Sequence, residues 1–378
     1  MKYIALKDVC KINMGQSPGS SSYNDKEDGI PFFQGNADFG EKYPVTRIWC
    51  NAPIKIAHPE DILISVRAPI GALNFAKEEC CIGRGLAALT PDRSKVSLEF
   101  IYWLLKGKNV ELNSKGTGST FKAISRKVLE ETKVPVIDFD KQHKYAEIIE
   151  KIYCIIQQRK GELLALDELI KSRFVEMFGD FESNPCGWRE STLGDECYYI
   201  KDGPHKSPSY IEDDNGIPFI STRNIVNGAG IDWSTAKYIS EVDYLQCIKK
   251  CHPQKGDILY SKGGTTGIAK LVDTDRRFAN WVHVAVLKFG RQLDGRFLEC
   301  MLNMDYCYNQ SQRLTKGIAN RDFVLSAIAQ VKIFVPPVEL QCQYTAFVRT
   351  IDKSKAVIQK SLEETQQLFD SLMQKFFG

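Results

Sequence analysis

The chain has 378 residues, 43% of them apolar and 26% charged, with a net charge of +3. These proportions exclude wholesale disorder, the length leaves room for two or three domains, and the weak positive balance does not by itself announce a nucleic-acid partner. No run reaches the ~18 apolar residues of a spanning helix, the start Met1-Lys2-Tyr3-Ile4-Ala5 lacks the apolar stretch of a signal peptide, and twelve cysteines without regular spacing read as reduced thiols of a cytoplasmic protein.

In chain order, short apolar runs bounded by Gly and Pro predict strands at Ile62-Leu63-Ile64, Leu86-Ala87-Ala88-Leu89 and Val134-Pro135-Val136-Ile137, with a helix from Leu98 to Leu105. From Lys141 to Phe178 there is no proline, and positions 149, 152, 156, 159, 163, 166, 170, 173 and 177 alternate three and four apart. Seven are apolar and two are arginines, Arg159 and Arg173, which is the seam of a coiled-coil helix with polar interruptions. The same order of elements then returns. Strands are predicted at Ile258-Leu259-Tyr260, Val284-Ala285-Val286-Leu287 and Ile333-Phe334-Val335, a helix from Phe297 to Leu302, and a second seam from Val348 to Phe376 that includes Lys355 and Thr365.

The return is a duplication. Leu6-Lys7-Asp8-Val9-Cys10 aligns with Leu193-Gly194-Asp195-Glu196-Cys197, and Gly29-Ile30-Pro31-Phe32 with Gly216-Ile217-Pro218-Phe219, both at an offset of 187. Asp61-Ile62-Leu63-Ile64-Ser65 meets Asp257-Ile258-Leu259-Tyr260-Ser261 at 196, while Lys133 and Gln142 meet Lys332 and Gln341 at 199. The offset grows only in steps, as it does when insertions fall in loops. The expected architecture is α/β (α+β): two related globular parts at 1–137 and 182–336, and two long helices at 138–181 and 337–378. The helices would bury their stripes on each other as an antiparallel coiled coil, giving a pseudo-two-fold molecule.

This doubled order of motifs resembles the specificity subunit of type I restriction–modification enzymes, along the whole chain. The resemblance rests on the Gly-Ile-Pro-Phe segments, the Asp-Ile-Leu segments ahead of Ser65 and Ser261, the Gly-rich turns at 116–118 and 317, and the strand, Pro and Gln-bearing helix start at Val134–Gln142 and Val335–Gln341. It implies two target-recognition domains, each reading one half of a split, asymmetric sequence in double-stranded DNA, with the helices as spacer. Two methyltransferase subunits would dock on the chain, nuclease and translocase subunits would join them, and S-adenosylmethionine, ATP and Mg²⁺ would bind those partners. The chain would have no catalysis, no cofactor, no metal and no membrane contact of its own.

Where the copies agree they read as scaffold, and where neighbouring polar residues differ they read as recognition. Two basic stretches, 103–133 and 249–277, each carry seven Lys/Arg against three acids. The candidate DNA-binding residues are Gln34, Asn36, Arg67, Arg84, Lys115, Ser119 and Thr120 in the first copy. In the second they are Thr222, Arg223, Asn224, Lys262, Lys316, Asn320 and Arg321. Arg suits guanine and Asn or Gln suits adenine in the groove, while Lys and Gly-rich turns suit phosphates. Alternatives are a DNA-modifying enzyme or a coiled-coil scaffold without DNA binding. A methyltransferase needs an acid or amide before Pro-Pro and an aromatic after it, and the sole Pro-Pro is Val335-Pro336-Pro337-Val338. A nuclease set at Asp92, Glu131 and Lys133 loses its acids in the second copy. Cys247, Cys251 and His252 have crude metal spacing but too few ligands. His283 is read equally as a core residue or a DNA contact.

Overall fold

The computed structural model describes residues 2–118, 122–212, 215–228, 230–317 and 321–377. Residue contacts divide the chain into two compact units, one of 1–161 with 358–378 and one of 162–357.

In the first unit, a four-stranded antiparallel sheet runs in the order Cys10–Met14, Leu86–Pro91, Ile62–Ser65 and Leu73–Phe75. A second sheet joins Ile30–Phe33 to Cys80–Ile82 in parallel, and Tyr3–Ala5 pairs with Lys133–Pro135. In the second unit, the four-stranded order is Cys197–Asp202, Val284–Phe289, Ile258–Ser261 and Ala269–Leu271. Ile217–Ile220 lies parallel to Ala279–Asn280, and Arg189–Thr192 pairs with Lys332–Val335. The same order and directions in both units bear out the duplication. Its conserved marks have mechanical reasons. Ser65 accepts from the Ala72 amide at 2.9 Å and Ser261 from the Ile268 amide at 2.8 Å, closing a turn in which Gly71 and Gly267 both stand at φ +85°.

The helices predicted from Leu98 and Phe297 are Leu98–Gly107 and Gly295–Asn303, capped by Ser97 and Asp294. The long helices are Phe139–Phe178 and Val338–Phe377, 40 residues each. Every expected seam position in both is buried or half-buried. Gln142 and Gln341 fix each helix start to its own unit. Their side chains accept from the Ser97 and Asp294 amides at 2.9 and 2.8 Å, and donate to the carbonyls of Ile137 and Pro336. Each is nearly fully buried with its amide satisfied, which is why a polar residue repeats at an apolar site.

Within the first unit, Tyr145 stacks on Phe376 at 4.0 Å between centroids and Tyr153 meets Phe369 at 6.2 Å, so the two helix segments there run antiparallel. Within the second, Asp167 bonds Lys355 at 2.5 Å, Arg173 covers the Phe347 ring, and Phe178 meets Tyr344, again antiparallel. The seam lysine is therefore answered by an acid. Phe174, Phe178, Phe297 and Tyr344 are fully buried together, and each contributes about 2 kcal/mol of burial. A helix not anticipated from the sequence, Glu241–Lys250, accounts for the step in offset from 187 to 196.

Candidate functional site

The polar turns at the ends of the parallel strand pair form the candidate surface in each unit. In the first, the chain leaves Ile30–Phe33 through a turn held by Asp38, whose carboxylate accepts from the Gln34 and Gly35 amides at 2.7 and 3.3 Å. Arg67 stands on the turn after Ile62–Ser65, where its backbone bridges Ala123. Arg84 follows Cys80–Ile82, with its amide donating to Ser17 Oγ at 3.2 Å. Gln34, Asn36, Arg67 and Arg84, named separately from the sequence, meet on one cleft of about 550 Å³ that Ser17, Phe32 and Ile48 also line. Among the described residues neither guanidinium has a protein partner, so both are free for an anion or a base edge. Lys115 is exposed but bonds Glu111 at 2.6 Å and does not line the cleft. Ser119 and Thr120 lie outside the described residues.

In the second unit, Arg223 is exposed and donates to the Thr235 carbonyl at 3.3 Å, and Lys316 is exposed. Arg321 is half-buried and donates to Gln312 at 2.5 Å. Thr222 Oγ1 donates to the Gly263 and His283 carbonyls at 3.0 and 3.1 Å, tying three loops together. Asn320 lies outside the described residues. Two expectations are corrected. Asn224 is 1% exposed, and its amide is consumed by Ser221, Asp232 and Thr235. It caps its turn as Asp38 does in the first unit, so its counterpart is Asp38 and its role is to hold the loop. Lys262 is 5% exposed and is held by Asp322 at 3.1 Å and Asp202 at 3.5 Å, so its charge faces the protein interior. Thr117 and Lys316 take equivalent bridges to Ala123 and Asp322, which aligns Thr117 with Lys316 and the exposed Lys122 with Arg321. The repeat offset of 199 already places Lys122 opposite Arg321.

The rival sites serve structure. Asp92 accepts from the Ser94 amide and hydroxyl and closes a turn, while Glu131 pairs with Lys127. Cys247 and Cys251 are buried, which pushes their thiols up, Cys251 to about 11. Among the described residues no group of three His, Cys, Asp or Glu is placed to hold a metal, and no helix is long and apolar enough to cross a membrane.

Comparison with known proteins decides the family. The profile described as type I restriction modification DNA specificity domain matches residues 1–165 and again 185–367. The chain belongs to the type I restriction–modification specificity family. A protein of Methanocaldococcus jannaschii assigned as the MjaX specificity subunit of a type I restriction enzyme is 43% identical over 152 residues, covering 40% of this chain and 36% of that protein's length. The MjaIX specificity subunit of the same organism is 23% identical over 402 residues, covering 99% and 92%. The fold is shared with the S subunit of a type I restriction–modification system from M. genitalium, at a TM-score of 0.61 and 18% identity, covering 100% of this chain and 96% of that one. The two matches of the specificity profile fall on the two copies, so the doubled scaffold is the family's own.

Proposed function

We propose that this specificity subunit reads a bipartite, asymmetric sequence in double-stranded DNA, one half-site by the domain at 1–137 and the other by the domain at 182–336. The observation that supports this most is a shared frame of strands and turns whose loops carry different side chains. Asn36 stands where the other copy has Thr222, Arg67 where it has Gly263, and Lys122 where it has Arg321, and in the first unit Asn36 and Arg67 share one cleft with Gln34 and Arg84. Arginine offers a paired donor to guanine N7 and O6, and Gln or Asn offers a donor and acceptor to adenine, so different sets favour different bases.

On this reading the long helices space the half-sites. Two methyltransferase subunits bind S-adenosylmethionine and modify an adenine in each half. Nuclease and translocase subunits use ATP and Mg²⁺, and the chain itself is non-catalytic and works in the cytoplasm. The test is a competition gel shift of the chain with its methyltransferase partner. Duplexes carrying the sequence methylated in the host should outcompete duplexes with either half scrambled. Equal competition by all duplexes would contradict the proposal.

A further inference from the structure

The first unit builds its cleft partly from glycines that the second unit lacks. Hydrogen bonds establish the correspondence. The Gly83 amide donates to Phe33 O at 2.8 Å as the Trp281 amide donates to Ile220 O at 2.9 Å. The Val66 amide donates to Gly85 O at 2.8 Å as the Lys262 amide donates to His283 O at 2.9 Å. Trp281 therefore stands for Gly83, His283 for Gly85 and Gly263 for Arg67.

These exchanges are sterically linked. A Cβ on Gly263 would lie 2.5 Å from His283 Cγ, so the imidazole occupies the space beside the backbone where the Arg67 side chain departs in the other copy. In the first unit a Cβ on Gly85 would lie 2.3 Å from Gln34 O, so that turn packs down on the glycine and leaves the position to Arg67. One unit fills the spot from the turn after its central strand, the other from the residue entering the neighbouring strand.

His283 is built to present its ring. Its carbonyl accepts from Lys262 N and Thr222 Oγ1, which fixes its backbone. Its ring packs against the Trp281 ring in a tilted pair, 4.5 Å between centroids and 38° between planes. Neither ring nitrogen has a hydrogen-bond or ion-pair partner among the described residues, and the residue is half-exposed. A ring held against a tryptophan loses little freedom on binding, and an imidazole offers a donor and an acceptor at fixed separation.

We infer that His283, backed by Trp281, is a specificity-determining residue that contacts a base edge in the second half-site, at the place Arg67 takes in the first. The inference rests on the two-part DNA reading, and it gives the second unit the base-reading group that the buried Lys262 does not supply.

The experiment is methylome sequencing of a host carrying the full chain and its methyltransferase partner, with wild type, His283→Ala and His283→Gln compared. Wild type reports the motif, and its failure to give a two-part motif would refute the DNA reading itself. With that motif in hand, His283→Ala should lower discrimination about tenfold or more at one base pair of the second half-site. The first half-site and the gap should be unchanged. If His283→Ala abolishes methylation, restoration of methylation by His283→Gln with the second half-site still read supports the inference. An unaltered motif in His283→Ala overturns it, as does loss of methylation in both variants.

Discussion

The two copies share a frame but differ in what fills it. In the first, Val9, Met14, Val66 and Ala123 are apolar, and Asp61 is bonded by a neutral Thr90 hydroxyl at 2.6 Å. At the equivalent places the second has Glu196, Asp202, Lys262 and Asp322, with Lys288 on Asp257 at 2.5 Å. Each buried charge is answered: Glu196 by Arg189, and Asp202 by Lys250 and Lys262. Lys250 comes from the helix Glu241–Lys250 that the first copy lacks. Backbone pairing is thus the constant, and it is completed either by apolar side chains with one carboxylate bonded by a neutral hydroxyl or by a paired ionic set. The two sets are not interchangeable residue by residue, because a charge moved alone into the other copy is buried without its partner.

The largest effect should come from moving one charge. Val66→Lys places an ammonium where the first copy has Met14 and Ala123, and should cost at least about 3 kcal/mol in chemical denaturation. A loss under about 1 kcal/mol would mean that the copies are less distinct than their interiors imply. The reverse exchange is milder, since one partner survives. Asp202→Met should cost about 2–3 kcal/mol, and adding Lys262→Val and Asp322→Ala should recover more than half of that. A triple variant no better than the single one would show that the three residues do not act as a set.

On the exposed side, Arg67→Ala should cost about 1–3 kcal/mol of binding to the first half-site in gel-shift titrations and leave second half-site discrimination intact. The smallest effect concerns acid. Bonds from Arg189, Ser191 and Gln292 hold the Glu196 carboxyl down at about 2. A carboxylate depressed in the fold adds stability above its ordinary value of about 4.3 and loses it as pH falls toward 2. The stability advantage of wild type over Glu196→Gln should therefore shrink between pH 5 and pH 2. An advantage that does not change with pH would place the anchoring of this carboxylate elsewhere.

The duplication, the central strands and both helix seams were legible because they are periodic or repeated, and a repeat needs no knowledge of what it packs against. Gln142 and Gln341 were visible as a match, although their function depends on amides some 45 residues upstream. Lys262 and Asn224 were misread for the same reason. Lys262 belongs to Asp202 and Asp322, each 60 residues away, and Asn224 caps a turn whose partner in the first copy, Asp38, is displaced by one residue from the repeat offset. The role of His283 is not legible in the sequence, because only the space beside Gly263 shows that its ring takes the place of Arg67.

The most direct test of two complete and separable readers is exchange of residues 1–137 for the corresponding domain of another specificity subunit, followed by methylome sequencing with the methyltransferase partner. The account predicts that one half of the methylated motif is replaced and that the other half, read by 182–336, is kept unchanged. A change in both halves, with methylation retained, would contradict it.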